Sequence, residues 1–325
     1  MHKKIYFDNR WTGKNGIGRY SQEIGSRLKS REIQFIEGNL PTKIKEIFRI
    51  FPKLNRFNLL YSPGYVALPW FKNQVITIHD LILMHPNIGS RLQRLYFHFF
   101  LKRKVRLGHI KIITVSDNSR NELCKWAKIS LEEIAVIPNG ISKVIFEAGE
   151  RLHQYERGRS LIYVGNNKQH KNFELLVKAT QFLRDDWKIL LIGPDMKASG
   201  IPSRHLVTIL SDISDDELAT CYLQSDIVVT VSLFEGFCMP VLEGSYLGCK
   251  VVHLGVLPTV SEIIGESGFS TNGNVEPRKL AEILEIANGS ESRLDEKSRK
   301  DLSERFNWDN SALMLKSMLL TADQK

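Results

Sequence analysis

Short apolar runs alternate with stretches of helical periodicity along most of the chain. The runs Val75–Ile78, Ile112–Ser116 and Asp226–Val231 are rich in β-branched residues, and a loop follows each of them. Runs of this kind predict buried strands. The periodic segments between runs, such as residues 19–30, predict helices. Because alternating strands and helices are typical of parallel sheets, the pattern predicts an α/β fold.

The chain is long enough for two hydrophobic cores. It has 325 residues, and a polar, charged stretch from Phe146 to Ser160 separates two halves that each show the alternating pattern. We read this stretch as a linker. The pattern therefore predicts a first domain over residues 1–150, a second domain over residues 151–305 and a terminal segment over residues 306–325.

Composition narrows the class of protein. The apolar fraction of 42% and the charged fraction of 25% are ordinary for a globular protein. The four cysteines lack metal-site spacing, which favours free thiols in a reducing compartment. The basic start Met1–Lys4 runs directly into a predicted strand, and no apolar run is long enough to cross a membrane. These features predict a cytoplasmic protein without a signal peptide.

Charge is distributed unevenly along the chain. In residues 1–150, 25 basic against 12 acidic residues give +13, whereas 20 against 24 in the remainder give −4. Nucleic acid, anionic lipid and phosphorylated substrates are the partners that such a basic half suggests. Arg91–Lys111 carries seven basic residues, no acidic residue and four interleaved aromatics. It is either a helix that lies on an anionic membrane or a core helix with inward aromatics. The segment Lys43–Phe57 also mixes basic and apolar residues at helical spacing.

Candidate chemistry concentrates after the strand that ends near Val231. The loop carries Glu235, Pro240 is suited to the first residue of a helix, and Glu243 falls in the first turn. Ligands of open α/β sheets bind at such strand ends, and a helix N-terminus favours a phosphate. The two glutamates are placed to accept hydrogen bonds from two separate sets of hydroxyls. The alternative is an ordinary connection with solvated or capping glutamates.

Three further positions carry candidate chemistry. Lys171 precedes a predicted helix and can act as a point charge for a pyrophosphate. The glycine-bearing loop Thr12–Gly18 can bring backbone N–H groups against a phosphate or sugar. His79 follows a predicted strand. The acidic run Asp212–Glu217 is interpreted as capping and charging a helix start rather than as a metal site.

The region from Glu235 onward reads EGFCMPVLEGSYLGCKVV, which resembles the E-x7-E signature of retaining glycosyltransferases of family 4. Other segments resemble that family in the same order: NGIGRY from residue 15, TIHDLILMHP from 77, VIPNGI from 136, VGNNKQHKN from 164 and RFNWD from 305. The chain departs from the family pattern at Cys238, where glycine is usual, and at His170, where arginine is usual. Asn166 and Lys250 are further departures.

The resemblance implies a GT-B architecture, in which two Rossmann-like domains face each other across a cleft and a C-terminal helix crosses back to the first domain. It assigns catalysis to His79, Glu235 and Lys171. Donor binding is assigned to the following residues: Gly16, Ile17, Gly165, Asn166, His170, Lys171, Ser211, Ile213, Glu235, Gly236, Phe237, Cys238, Met239, Pro240, Val241 and Glu243.

The activity implied is retaining transfer of a hexose from a nucleoside diphosphate sugar to a glycan or lipid-linked glycan hydroxyl. Mannose from GDP-mannose is favoured by the segment around His79, and no metal or other cofactor is expected. The expected setting is bacterial surface-polysaccharide assembly, with the basic first domain at the inner face of the membrane and a polyprenyl-diphosphate-linked acceptor. Three other classes stay open at this point: a nucleic-acid-binding protein, a non-catalytic sugar-nucleotide binder and an epimerase of the same architecture.

Overall fold

The computed structural model describes residues 4–13, 16–29, 33–42, 46, 54 and 58–321. The predicted basic helix within Lys43–Phe57 therefore lies almost wholly outside the described residues. The chain divides into two compact units, one formed by residues 1–140 with 307–325 and the other by residues 141–306. Each unit contains one parallel six-stranded sheet, so the predicted α/β fold is confirmed.

The first unit is built on a sheet with the strand order β2-β1-β3-β4-β5-β6. Its strands are β1 Ile5–Asp8, β2 Ile33–Ile36, β3 Leu59–Ser62, β4 Gln74–Thr77, β5 Ile110–Thr114 and β6 Ile134–Val136. Its helices up to residue 140 include α1 Gly16–Arg27, α2 Arg91–Leu95, the π-helical turn Tyr96–Leu101, α3 Lys102–Arg106 and α4 Asp117–Ala127. Every residue of β3 and β4 is buried, as expected for central strands of a parallel sheet.

The second unit has the strand order β12-β11-β10-β7-β8-β9. Its strands are β7 Ser160–Val164, β8 Lys188–Ile192, β9 Leu206–Leu210, β10 Ile227–Thr230, β11 Lys250–His253 and β12 Phe269–Ser270. Its helices are α5 Lys143–Ala148, α6 Phe173–Ala179, α7 Asp215–Gln224, α8 Met239–Tyr246, α9 Pro258–Ile264, α10 Pro277–Gly289 and α11 Glu296–Arg305. This is the Rossmann strand order, whose topological switch point lies between β7 and β10.

The last helix, α12 Trp308–Thr321, belongs to the first unit although it follows the second unit in the chain. Ser311 Oγ donates to the carbonyl of Pro138 at 2.7 Å. Arg27 Nε of α1 contacts Asp309 Oδ1 at 2.6 Å. These contacts attach the C-terminal helix to the first sheet's own elements, so that unit is completed only at the end of the chain.

The stretch Phe146–Ser160, predicted as a linker, is largely helical. Helix α5 is followed by a 3-10 turn over Gly149–Gln154, so the linker interpretation is wrong for these residues. Ser142 caps α5 by accepting from the Ile145 N–H at 3.3 Å, while Ile145 and Ala148 are buried. The helix has only six residues, of which two are buried, and an apolar residue, Phe146, lies on its exposed side, so its periodicity is hidden.

A buried ion pair explains Lys250, which departs from the usual family pattern. Its Nζ lies 3.0 Å from Asp226 Oδ2, and the two side chains are 3% and 4% exposed. Arg293 contacts the other oxygen of Asp226. A buried ammonium is tolerated when a carboxylate pairs with it, and Asp226 supplies that partner from the preceding strand boundary.

Among the residues that the structure describes, no helix is long and apolar enough to cross a membrane.

Candidate active site

Two loops meet at the switch point of the second sheet. The loop after β7 carries Lys171, and the loop after β10 carries Glu235. Lys171 Nζ lies 2.6 Å from Glu235 Oε1, with the two side chains 17% and 13% exposed. The Leu233 N–H donates to the carbonyl of His170 at 2.8 Å and so joins the loops through the backbone. Two sequence-predicted residues 64 positions apart are thus brought into one ion pair.

Helix α8 begins directly after this pair. Its N-cap is Cys238, which has φ 70° in the left-handed region, and no side chain caps the helix. Glycine adopts that conformation without strain, which explains why a glycine is usual here and why cysteine is a departure. Burial raises the pKa of the Cys238 thiol to about 12, with the nearby Glu235 acting in the same direction. The thiol therefore stays protonated and is no nucleophile at neutral pH.

Pro240 and Glu243 lie one helical position later than predicted. The left-handed Cys238 makes Met239 the first helical residue, so Pro240 is second and Glu243 falls just beyond the first turn. Glu243 is only 7% exposed, and the Tyr222 hydroxyl donates to its Oε2 at 3.2 Å. The glutamate is therefore a buried, oriented acceptor rather than a solvated capping residue. Phe237 is buried and packs edge-on against Phe306 at 5.3 Å.

The floor of the site is made by glycines at the ends of β7 and β8. The Gly165 N–H donates to the Ile192 carbonyl at 2.9 Å. Gly193 has φ 146°, and a Cβ placed there would lie 1.6 Å from the Gly165 carbonyl oxygen. Below them, the Tyr163 hydroxyl donates to the Asn166 carbonyl at 3.2 Å. The close approach requires glycine at 193, so this residue shapes the strand ends on which Gly165 and Asn166 sit.

Ser211 and Ile213 lie further along the same edge of the sheet. They follow β9, which is separated from β7 by β8, and Asp212 between them has φ 54°. Ser214 caps α7 through a capping box with Glu217, at 3.2 Å and 2.7 Å. The helix-capping interpretation of Asp212–Glu217 is therefore confirmed, with Ser214 rather than an aspartate as the cap. No contact joins Ser211 or Ile213 to the Lys171–Glu235 pair among the described hydrogen bonds.

His79 lies at the corresponding edge of the first sheet, two residues after β4. Its Nε2 is 3.0 Å from the Pro63 carbonyl, which can only accept, so Nε2 carries the proton and Nδ1 the lone pair. Burial lowers the pKa of His79 to about 4, against the opposing effect of the Pro63 carbonyl. At neutral pH the imidazole is therefore neutral.

Aromatic residues hold His79 in place. The Tyr20 ring packs edge-on against His79 at 5.0 Å and against Trp308 of α12 at 5.8 Å. The Tyr61 hydroxyl links the Tyr20 hydroxyl at 3.3 Å with Thr77 Oγ1 at 2.7 Å. The imidazole thus rests on a buried stack anchored to three elements of the first unit.

Gly16 and Ile17, predicted to bind the donor, form the first turn of α1. Gly16 is exposed, and a Cβ at this position would meet no atom within 4 Å. A Cβ at Gly18 would instead lie 2.1 Å from the Gly13 carbonyl oxygen. The steric need for glycine in this loop therefore falls on Gly18 rather than on Gly16.

Comparison with known families decides the class of protein. Residues 146–307 match the model of the glycosyl transferases group 1, and residues 37–143 match the model of glycosyltransferase family 4. The chain therefore combines a glycosyltransferase family 4 domain with a glycosyl transferases group 1 domain. The resemblance of its motifs is therefore confirmed.

Two curated relatives similar to this glycosyltransferase are named O-antigen chain mannosyltransferases. The O-antigen chain mannosyltransferase RfbU of Salmonella typhimurium is 26% identical over 78% of this chain and 71% of the relative. The O-antigen chain mannosyltransferase B of Escherichia coli is 24% identical over 91% of this chain and 93% of the relative. Both are similar to this glycosyltransferase across most of its length.

A solved structure supports the fold. The crystal structure of HepE from Anabaena in complex with UDP and glucose has a TM-score of 0.70 and 16% identity, covering 98% of this chain and 100% of that one. The predicted α/β GT-B architecture is confirmed by this likeness together with the two parallel sheets.

Sequence reasoning missed several residues of this glycosyltransferase that shape its candidate site. They are Tyr20, Tyr61, Tyr163, Gly193, Tyr222 and Trp308. Gly193 had a signal, because it follows a strand directly and precedes Pro194. Tyr20 and Trp308 lie in the NGIGRY and RFNWD segments but were given no site role. Tyr61, Tyr163 and Tyr222 had no signal, since their roles depend on partners from other elements. Among the described residues, no three His, Cys, Asp or Glu side chains cluster as metal ligands would.

Proposed function

We propose that this glycosyltransferase moves a hexose from a nucleoside diphosphate sugar to a hydroxyl of a glycan or lipid-linked glycan. Mannose from GDP-mannose is the preferred donor in this proposal, because both O-antigen relatives are named mannosyltransferases. The observation that carries the proposal is the Lys171–Glu235 pair, 2.6 Å apart at the switch point and beside the N-terminus of α8.

The roles follow from charge and position. Lys171 and the first N–H groups of α8 supply positive charge for the diphosphate. Glu235 and the backbone from Gly236 to Met239 bind hydroxyls of the sugar. Glu243, held by Tyr222, accepts from the ribose. A diphosphate competes with Glu235 for Lys171, so donor binding loosens the ion pair and releases the carboxylate toward the sugar.

The first unit supplies uncharged contacts in this proposal. His79 keeps a lone pair on Nδ1 and can accept a hydrogen bond from a sugar hydroxyl. In the proposal, the Gly16 backbone at the start of α1 contributes N–H groups to phosphate binding. A neutral imidazole adds direction to the sugar without adding a charge that would compete with Lys171.

The transfer proceeds with retention of the anomeric configuration. The bond from the anomeric carbon to the diphosphate oxygen breaks, the acceptor oxygen bonds to the same face, and the acceptor proton passes to the departing phosphate. The rate enhancement comes from positioning and from stabilising the negative leaving group. Proton NMR of the first product formed tests this step, since an inverted anomer would contradict it.

The reaction is expected to continue without a divalent cation. Lys171 and the helix N-terminus supply the positive charge that a metal would otherwise bring to the leaving group. Turnover in excess EDTA should equal turnover in buffer alone. Loss of turnover that magnesium or manganese restores would contradict this part of the proposal.

The proposed setting is the inner face of the cell membrane, where the enzyme is peripheral and the acceptor is linked to polyprenyl diphosphate. Bacterial surface-polysaccharide assembly, as O-antigen, lipopolysaccharide or capsule, is the pathway class. The relatives' names support the O-antigen part of this proposal.

A donor panel tests the proposal as a whole. Thermal shift is measured with GDP-mannose, GDP-fucose, UDP-glucose, UDP-galactose and dTDP-rhamnose, and turnover is then measured with each stabilising donor. A ligand at a hundred times its Kd stabilises by about 2.7 kcal/mol, which is readily detected. Stabilisation by GDP-mannose with turnover supports the proposal. Stabilisation without turnover on any acceptor would show a sugar-nucleotide binder instead.

A further inference from the structure

A solvent-facing stripe runs along the helical segment from α2 through the π-helical turn to the end of α3. Four large apolar side chains point outward there: Leu92 is 78% exposed, Leu95 43%, Phe99 66% and Leu107 55%. Isolated exposed apolar residues are common, but four at helical spacing on one face are not. We call this stripe the apolar–basic face, and with its cations it comprises Arg91, Leu92, Leu95, Phe99, Lys102, Arg103, Arg106 and Leu107.

The core does not account for this face. Phe97 is buried, and Tyr96 and Phe100 pack partly buried against the core of the first unit. The Tyr96 hydroxyl donates to the Tyr65 carbonyl at 3.0 Å. These aromatics satisfy the expectation of an inward-facing core helix, but Phe99 lies on the opposite side.

Cations surround the outward apolar side chains. A shallow recess of about 600 Å³ is lined by His98, Phe99, Lys102, Arg103, Arg106 and Leu107, and none of the six is acidic. Residues 91–111 contain no acidic residue at all. The pKa of His109 is lowered, first by burial and then by Lys72, Lys104 and Arg103, so Lys72 adds one positive charge from outside the segment. The recess therefore combines a positive field with an apolar wall.

We infer that the apolar–basic face docks on an anionic phospholipid bilayer, with Leu92, Leu95 and Phe99 inserted among the acyl chains and a headgroup phosphate held in the recess by Lys102, Arg103 and Arg106. Helices that lie in a membrane interface combine large apolar residues with lysine and arginine in this way. Each basic residue near such a surface contributes on the order of 1 kcal/mol. The inference rests on the proposed function only for the identity of the acceptor, since vesicle binding needs neither donor nor turnover.

The apolar residues distinguish a bilayer from nucleic acid. Phosphates of a nucleic acid would satisfy Arg103 and Arg106 but would leave the exposed leucines in water. A bilayer satisfies both classes of side chain at once. Trp70, which is 40% exposed, neighbours Pro69, whose carbonyl accepts from Lys104 Nζ at 2.8 Å. Tryptophan beside basic residues is typical of membrane interfaces.

The experiment is co-sedimentation of the full chain with vesicles of phosphatidylcholine alone or with 30 mol% phosphatidylglycerol, at low salt and at high salt. The cation variant is Lys102→Gln/Arg103→Gln/Arg106→Gln, and the apolar variant is Leu92→Ser/Leu95→Ser/Phe99→Ser. The matched control is Lys178→Gln/Lys279→Gln/Lys300→Gln, which removes the same number of charges from helices of the second unit.

Wild type and the control should bind the anionic vesicles equally and bind pure phosphatidylcholine at least tenfold less. The cation variant should lose binding at least tenfold at low salt. The apolar variant should keep part of its binding at low salt. It should lose all binding at high salt, because the Debye length is only about 3 Å at 1 M ionic strength. Circular dichroism confirms that each variant is folded.

Insertion has its own readout. Vesicles with brominated acyl chains should quench the tryptophan fluorescence of Phe99→Trp more than that of the wild type. In Leu206→Trp, which places a tryptophan at an exposed position of β9, the quenching should be close to that of the wild type. No wild-type binding, equal binding by all variants, loss of binding in the control, or equal quenching at both positions would overturn the inference. Tighter binding to oligonucleotides than to vesicles would do the same. Turnover on a soluble acceptor should be the same for wild type and all variants, whether or not they bind vesicles. Failure of this inference is therefore distinct from failure of the proposed function.

Discussion

The candidate site residues at the carboxyl edges of the two sheets differ in charge. At the edge of the second sheet, Lys171 and Glu235 form an ion pair at 2.6 Å beside a helix N-terminus. At the edge of the first sheet, His79 is neutral and packs against the Tyr20 ring, which in turn contacts Trp308. The second edge thus presents an ion pair at its candidate site and the first presents a neutral imidazole, while the charges of Asp8 and Arg10 at the end of β1 are paired and buried.

In the proposed function this difference corresponds to two kinds of ligand group. A diphosphate needs compensating positive charge, which Lys171 holds against Glu235. A sugar hydroxyl needs direction more than charge, and the neutral lone pair of His79 is proposed to supply it.

The largest effect is expected from Glu235→Gln. It should lower kcat/KM by about 10²–10³, because the carboxylate that binds the sugar in the transition state is lost. GDP affinity should stay equal or increase, since Lys171 no longer has a competing anion. Initial rates and calorimetric titration with GDP measure the two quantities.

The matched control for this change is Glu174→Gln, which removes an exposed carboxylate paired with Lys178 at 2.7 Å. It should leave both rate and affinity unchanged. A near-normal kcat/KM for Glu235→Gln, or a tenfold weaker GDP complex, would show that the charged edge does not work as described.

Gly193→Ala tests the backbone on which the charged edge rests. A Cβ would lie 1.6 Å from the Gly165 carbonyl oxygen, and φ is 146°. Strain and overpacking together should lower the free energy of unfolding by about 3 kcal/mol. Urea unfolding followed by circular dichroism measures this. Gly158→Ala, where a Cβ meets nothing within 4 Å, should change stability little, and equal effects of the two would contradict the prediction.

The neutral state of His79 predicts a pH dependence of the free energy of unfolding. His79 titrates at about 4 in the folded state and near 6.5 when unfolded. Between these values the unfolded state binds more protons, so stability should decrease as pH falls from about 6.5 to 4. For a partly buried ring the total loss should be about 2 kcal/mol.

This loss is measured as the difference between wild type and His79→Gln in urea unfolding at pH 7.5 and pH 5. The variant's stability should depend less on pH in this window. The same change at exposed His153 serves as the control. A difference between wild type and His79→Gln that is independent of pH would show that the imidazole is not held neutral.

The smallest effect is expected from Tyr20→Phe. The ring contacts with His79 and Trp308 remain, and only the 3.3 Å contact with the Tyr61 hydroxyl is lost. Stability should decrease by about 0.5–1 kcal/mol, with kcat/KM within about threefold of the wild type. Tyr61→Phe loses the shorter 2.7 Å bond to Thr77 and should be more destabilising. A large fall in kcat/KM for Tyr20→Phe would instead give its hydroxyl a direct role at the site.

Local pattern was enough to predict the elements that carry the site. Residues 227–230 form a strand because β-branched residues favour one, and a helix begins beside Pro240 because proline suits a first turn. Local pattern did not predict two features. One is the shift of the helix start by one residue, from Pro240 to Met239, and the other is the short helix α5, which overlaps the predicted linker. In both cases the deciding residue, Cys238 or Ser142, acts as a cap that no periodicity reveals.

The order of several motifs, from residue 15 to residue 309, predicted that the protein is a glycosyltransferase. The matches to the two family models confirm this class. The roles of single residues within those motifs stay predictions. Position in a motif assigned Glu235 and Lys171 to the same site but said nothing of their contact. It also could not show that Gly18, rather than Gly16, is sterically required in the first loop.

Only the tertiary structure decided which groups meet and in which charge state. Lys171 and Glu235 pair because β7 and β10 are neighbours, although 64 residues separate the two side chains. His79 is neutral because its partly buried ring is desolvated beside Tyr20, which packs edge-on against Trp308 of a helix near the end of the chain. Phe99 points outward and Phe97 inward because the π-helical turn meets the core on one side only. Local sequence determines backbone preference, which depends on neighbours along the chain. Ion pairing, burial and pKa depend on neighbours in space, which the order of strands in the sheets selects.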